Sequence, residues 1–290
     1  MNNLAFTLIL LSSIMHAIWN LLVKQSRHKT VFIWWMFVSS GLLFSLIMPF
    51  IPGPVPVPDL KIVLIGSAGG ACFVLYHLLT GRAYRSGDLS LTYPLCQTSM
   101  VYVPIWGGLL MGEKLSLLGG CGIALVILGA YTVQMQRFSL GEILRPFGNL
   151  RDSSVQAALG AGFIYSFGAM LDKAGVTLYS PLYFTWIMVI VMLLLMTANL
   201  ARGKYRRQIG AEFQENWRLI LLSGPIMMAS FLTFRFGLKL SPMSYAVPIR
   251  QVSILVGVLI GVVFLGESFG KIRLASALLI LAGAFLIKFG

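Results

Sequence analysis

The chain has 290 residues, 58% hydrophobic and 11% charged, against about 25% charged in an ordinary soluble domain. Water cannot accommodate that much apolar surface, so a soluble globular protein is excluded and a polytopic membrane protein is expected. The formal net charge of +13 does not point to nucleic acid: Lys and Arg gather at the ends of apolar segments, and no basic run is interleaved with exposed aromatics.

Ten apolar segments, each near the roughly 20 residues a bilayer requires, lie at about 4–24, 31–50, 61–82, 89–111, 116–136, 155–174, 181–200, 217–237, 243–265 and 271–288. The first opens MNNLAFTLILLSSIMHAIWN. It lacks a basic n-region and a small-residue cleavage site, and reads as a spanning helix rather than a signal peptide. Within it His16, Asn20 and Lys24 share a helical face, with Trp19 beside it. Polar residues in line along a spanning helix face a cavity rather than lipid.

After the second span comes IPGPVPVPDL, Pro-rich and expected to be extended. The third carries Tyr76 and His77 near its middle. A histidine can relay protons near neutral pH, but in a membrane it serves equally as an interhelical hydrogen-bond partner; the same alternative holds for His16.

The fourth span is the best punctuated. From Tyr93 to Glu113 it reads YPLCQTSMVYVPIWGGLLMGE, with Pro94 at its start, Gln97 about one turn later and a Gly112-Glu113 corner at its end. The polar stretch QRFSLGEILRPFGNLRDSS, 136–154, then separates five spans from five. The expected organisation is a first five-helix repeat over 1–136, a connecting loop over 137–154 and a second five-helix repeat over 155–290. The sixth span carries Tyr165, and a second polar stretch, ARGKYRRQIGAEFQEN, occupies 201–216 as a loop.

The ninth span repeats the fourth. VPIRQVSILVGVLIGVVFLGE, Val247 to Glu267, matches it at an offset of 154 residues without a gap. Pro248 meets Pro94, Gln251 meets Gln97, Gly266-Glu267 meets Gly112-Glu113, and Ser253 meets Ser99. At an offset of 149, more weakly, Lys173 meets Lys24 and Tyr165 meets His16. Five is odd, so the second copy inserts upside down: an all-α membrane protein of ten transmembrane helices in two inverted five-helix repeats, with a site near the midplane.

Candidate site residues follow. Arg250 lies two turns into the ninth span, roughly 10 Å from its start at 1.5 Å per residue. An intramembrane Arg is costly and marks function by default; it can clamp a carboxylate or phosphonate with two parallel bonds. The alternatives are pairing with Asp172 or backbone carbonyls, or snorkelling to the interface. Its repeat partner is Cys96, so the halves differ here. Gln97 and Gln251 offer amides from both halves, for a pocket or for helix–helix bonds. Tyr93, Tyr165, Trp19 and Tyr76 can supply aromatic walls, and His16, Asn20 and His77 add polar groups.

The remaining inventory is plain. Both Gly-Glu pairs read as hairpin corners, with Glu at the start of the following helix. The nine acidic residues fall in connections or at span ends, which leaves no deep carboxylate for a cation–proton exchanger. Cys72, Cys96 and Cys121 show no metal or redox spacing and read as packing residues. No P-loop, GxSxG or HExxH occurs. No enzymatic activity, cofactor or metal is expected; the partners are a small-molecule substrate and the lipid bilayer, with the chain a monomer or homodimer. The loops after odd-numbered spans hold most of the Lys and Arg, which by the positive-inside rule puts them in the cytoplasm and both termini outside.

Five-plus-five spans with Pro-x-x-Gln and Gly-Glu at the fourth and ninth helices resemble the drug/metabolite transporter superfamily, EamA type. HAIWNLLVK at 16–24 is similar to the first helix of one branch of it. The resemblance implies alternating access or facilitated export of small metabolites, amino acids or related amphiphiles through a central cavity, in a bacterial inner membrane. It also implies cytoplasmic termini, opposite to the charge count. The leading expectation is a secondary transporter or facilitator for small polar metabolites, amino-acid-like or otherwise bearing a carboxylate or other anion. The alternative is a non-transporting scaffold or lipid-handling protein, whose mark is a polar groove open sideways to lipid. A membrane-embedded enzyme would need clustered acids or nucleophiles that the sequence does not supply.

Overall fold

The computed structural model describes residues 1–290 except 87–88, 134, 136, 138, 146–147, 149, 202–204 and 266–269. Among the described residues every regular element is helical: α1 (Asn3–Gln25), α2 (Lys29–Ile47), α3 (Leu60–Ser86), α4 (Leu89–Cys96), α5 (Ser99–Met111), α6 (Leu117–Thr132), the short α7 (Leu140–Leu144), α8 (Ser153–Leu178), α9 (Pro181–Leu200), α10 (Arg206–Lys239), α11 (Met243–Arg250), α12 (Val252–Leu265) and α13 (Lys271–Phe289). Among the described residues eight stretches are long and apolar enough to cross a membrane, Met243–Ile260 among them, and Ser99–Met111 and Leu117–Thr132 are apolar but shorter. The Pro-rich segment after α2 continues through a single 3-10 turn, Met48–Phe50, and is non-helical from 51 to 59, as its composition requires.

Three departures from the expected spans have local causes. The fourth segment is not one helix: α4 stops at Cys96 and α5 begins at Ser99, with a turn at Gln97 and Thr98. The ninth breaks likewise between α11 and α12, at Gln251. Each break follows a Pro that cannot donate to the helical ladder. Short i→i+3 bonds, Thr98 N to Leu95 O at 3.2 Å and Gln251 N to Pro248 O at 2.9 Å, satisfy backbone groups at the breaks. The third departure is α10. It starts at Arg206, inside the stretch expected to be a loop, and runs through a kink at Asn216 (φ −123°, ψ 19°). The Asn216 amide donates to Glu212, whose other oxygen accepts the His28 backbone N–H at 2.8 Å and so caps α2.

The helices pack most extensively as α3 on α8, α6 on α13 and α1 on α10. In lipid such contacts rely on close approach and on hydrogen bonds between small polar residues. Ser12 of α1 donates to Ser230 O at 2.8 Å, and Ser230 donates back to Ser12 O at 3.0 Å. Between α6 and α13, Thr132 and Ser276 hydroxyls meet at 2.8 Å. At the same crossing a Cβ on Gly122 would lie 2.7 Å from Gly283 O.

The Gly112-Glu113 corner is structural, but not in the expected way. Gly112 takes the left-handed conformation (φ +66°) that ends α5. Ser116, not Glu113, caps the following α6. Glu113 instead reaches α11, where its carboxylate accepts Met243 N at 2.6 Å, Ser244 N at 3.0 Å and Ser244 Oγ at 2.5 Å. The acid therefore caps a helix in the other half of the chain, at its positive end. The equivalent pair Gly266-Glu267 lies outside the described residues.

The α6–α13 crossing makes a prediction. Gly122→Ala should lower the thermal midpoint in detergent, reflecting a loss of about 1–3 kcal/mol of stability, as is typical of overpacking. Gly120→Ala, where an added Cβ meets nothing within 4 Å, should leave it unchanged or raise it. Equal effects at the two positions would contradict the close approach.

Candidate functional site

The two helix breaks face each other. Gln251 Nε2 approaches Gln97 Oε1 at 3.4 Å. Around them lies a partly enclosed cavity of about 600 Å³, counting its open mouth. Its polar lining comes from His16 of α1, His77 of α3, Ser99 of α5, Ser253 of α12 and the two glutamines. Its aromatic walls are Trp19, Phe73, Tyr76, Tyr165 and Phe231. Cys96 and Arg250, the pair at which the repeat loses its symmetry, both line it.

Arg250 is 7% exposed. Its Nη2 lies 3.3 Å from His16 Nδ1, and the Tyr165 hydroxyl is a second polar neighbour. His16 and Tyr165 are the residues matched between the first helices of the two halves, so equivalent positions of α1 and α8 converge on one guanidinium. Its carbon sits 4.2 Å from the Phe234 ring centroid, within cation–π range. A guanidinium donating to Nδ1 makes that nitrogen an acceptor, which describes a neutral imidazole. The His16 ring packs edge-on against Trp19, centroids 4.8 Å apart. Two buried donors among the lining residues, Arg250 Nε and Trp19 Nε1, have no protein partner. A third unpartnered buried group, Thr80 Oγ1, lies one turn beyond Tyr76 and is not part of the lining.

Asp172 does not pair with Arg250. Its Oδ1 accepts from Arg235 Nε at 2.8 Å, with both side chains almost fully buried. Arg235 also contacts Thr185 and Met188. Asp172 is not at a span end as expected, because α8 runs on to Leu178. The view that no carboxylate lies inside the bundle is thereby corrected: Asp172 is six residues within α8, about 9 Å from its end at 1.5 Å per residue. A smaller cavity lined by Phe73, Asp172, Phe231, Phe234, Arg235 and Arg250 joins this pair to the main site. Lys173, next to Asp172, points elsewhere and donates to Leu238 O and Ser241 O at 3.0 and 2.8 Å, closing the end of α10.

Eight of the ten expected site residues line the cavity: Arg250, Gln97, Gln251, His16, Trp19, Tyr76, His77 and Tyr165. Asn20 does not. It is exposed, and its amide donates back to His16 O at 2.7 Å. Tyr93 is half-buried outside the lining and bonds to Gln97, one turn along, holding that amide in place. Phe73, Phe231, Ser99, Ser253 and Cys96, the last read from the sequence as a packing residue, were not foreseen as lining. Ser99 and Ser253 carried a usable signal, since they match at the same offset as the glutamines. Phe73 also did, at helical spacing from Tyr76 and His77.

A model of the EamA-like transporter family matches the chain twice, over residues 3–135 and 153–289. The chain belongs to the EamA-like transporter family. Among curated proteins it is similar to an uncharacterized transporter in the cobO 3′ region of Sinorhizobium sp, 39% identical over 71 residues. That match covers 24% of this chain and 48% of the other, so the chain spans about half the length of the curated relative it matches. A protein of known crystal structure has the same fold, with a TM-score of 0.73 at 15% identity over 99% of this chain and 96% of that one. This EamA-like chain is thus a multi-pass membrane protein of a transporter family, and its central cavity draws on residues within both matched regions.

The buried pair beside that cavity makes a prediction. Asp172→Asn should destabilise the protein by about 3–5 kcal/mol, because it strands the Arg235 charge in the bundle. A double replacement, Asp172→Leu with Arg235→Met, should recover most of the loss. Thermal unfolding in detergent reads both, and a double variant no better than the single would contradict an isolated pair.

Proposed function

We propose that this protein is a secondary transporter or facilitator that moves small polar metabolites, carrying a carboxylate or similar anion, by alternating access through the Arg250 cavity. One observation carries the reading: a buried guanidinium, without a carboxylate partner among the described residues, in a cavity walled from both halves. A buried charge in a bilayer protein is costly unless something compensates it, and an anionic ligand does so with charge-assisted bonds. A central cavity also favours transport over a lipid-handling scaffold, whose groove would open sideways.

The architecture read with this function is ten spans in two inverted five-helix repeats, 1–136 and 155–290, joined by 137–154. Two features support it. The family model matches once in each half. The contacts also exchange under the repeat: α3 on α8 corresponds to α1 on α10, and α4–α5 on α8 corresponds to α11–α12 on α1. Rocking of one half against the other would then expose the cavity to each side in turn. The membrane is read as a bacterial inner membrane, with the Lys- and Arg-rich loops in the cytoplasm and both termini outside.

Two measurements test this. In proteoliposomes loaded with a metabolite pool and assayed by mass spectrometry, the wild type should release at least one anionic metabolite. Arg250→Ala should slow that release by about 10- to 150-fold, the worth of one charged hydrogen bond, while still inserting and remaining monodisperse. Unchanged flux removes Arg250 from the pathway. In a background without native cysteines, an impermeant maleimide on intact cells should label Gly53→Cys and spare Gln25→Cys; the reverse pattern would invert the orientation.

A further inference from the structure

Deepening the anion reading proposed above, and resting on it, we propose that the cavity selects monoanions with a flat aromatic or apolar body over zwitterions and cations. The first ground is charge balance. Arg250 and Arg235 bring two positive charges to the two adjoining cavities, and Asp172 brings one negative charge. His16, accepting from Arg250, is neutral. With His77, the other imidazole of the lining, counted as neutral too, the described lining is one negative charge short, and a single carboxylate restores neutrality. A dianion overshoots it. A cation adds a second uncompensated charge next to the first.

The second ground is that every described acid already has a hydrogen-bond or ion-pair partner, and only Asp172 among them lines either cavity. Asp59 accepts from Ile62 N, and Asp152 caps α8. Glu113 caps α11, while Glu212 holds His28 N and the Asn216 amide. Glu142 pairs with Arg145 and Glu215 with Arg27. Asp172, the carboxylate nearest the cavity, is held by Arg235. The ammonium of an α-amino acid bound at Arg250 would thus be desolvated beside a guanidinium, with no counter-charge except an Asp172 already matched by Arg235. Among the described residues the compensation in view is the aromatic faces and the neutral glutamine and serine oxygens of the lining, and these offset less than the cost of burying an unpaired charge.

The third ground is shape. Phe73 and Tyr76 both pack on Tyr165, with ring centroids 5.6 and 5.0 Å apart, and all three line the cavity. With Trp19 and Phe231 they give the ligand's body an aromatic enclosure. The donors, Arg250 Nε and Trp19 Nε1, supply what a carboxylate accepts.

A matched set of probes separates these grounds. Phenylacetate, phenylalanine, phenethylamine and acetate are titrated against purified full-length protein by thermal shift, which rises as a ligand binds the folded state. Phenylacetate should raise the midpoint at concentrations at least tenfold below those of the other three. The shift should vanish in Arg250→Met and weaken in Arg250→Lys, which keeps the charge without the planar fork. Both variants are checked for monodispersity, and the lysine variant carries the test if the methionine variant does not fold. Phenylalanine equal to or better than phenylacetate, with Arg250 still required, overturns the charge selection but leaves the anion clamp. Acetate equal to phenylacetate overturns the aromatic body. A phenylacetate shift unaffected by either variant, or no shift from any probe, overturns this inference; the first of these also overturns the Arg250 site itself.

Discussion

A bilayer interior offers no water, so every polar group placed there needs a partner within the chain. That constraint accounts for most of the polar chemistry here. Glu113 leaves its own corner to cap α11. Lys173 closes the end of α10. Ser12 and Ser230 exchange hydrogen bonds between α1 and α10, and Asp172 neutralises Arg235. Against that background a group left without a partner is informative. Arg250 Nε and Trp19 Nε1 are two such groups, and both belong to residues of the central cavity.

The broken helices give the cavity its place. A continuous α4–α5 or α11–α12 helix would turn its backbone groups inward upon itself and carry its side chains past one another. The breaks at Gln97 and Gln251 bring the two amides together across the middle of the bundle. They also set Cys96 and Arg250, the residues just before them, into the same walls. Residues that match in sequence at one offset help build the container, and Arg250, which has no counterpart at that offset, gives it a charge. The family match, covering both halves, fits a protein whose halves act on a shared site.

The membrane-spanning character of the chain and the repeated Pro-x-x-Gln were legible in the sequence because each is local: a long apolar run reports bilayer thickness, and a proline reports a weakened ladder. What escaped was tertiary. Asp172 and Arg235 are 63 residues apart, and nothing near either announces the other. The loop expected over 201–216 is mostly helix, and Glu212 within it binds the His28 N–H just before α2, a contact that nothing near Glu212 announces. Asn20 shows the limit of face arguments. Four residues turn a helix by about 400°, so Asn20 sits roughly 40° round from His16, and its amide is satisfied by its own helix. Trp19, placed only as a neighbour of that face, is the residue that reaches the cavity.

The central claim is that Arg250 holds the carboxylate of a bound anion inside this cavity. An experimental structure with 4-bromophenylacetate tests it most directly, because the bromine can be located by anomalous scattering independently of the protein. The account predicts one bromine peak among Phe73, Tyr76 and Tyr165, with the carboxylate within hydrogen-bonding distance of the Arg250 guanidinium. A bromine peak only at the lipid-facing surface, or a carboxylate directed away from Arg250, would contradict it.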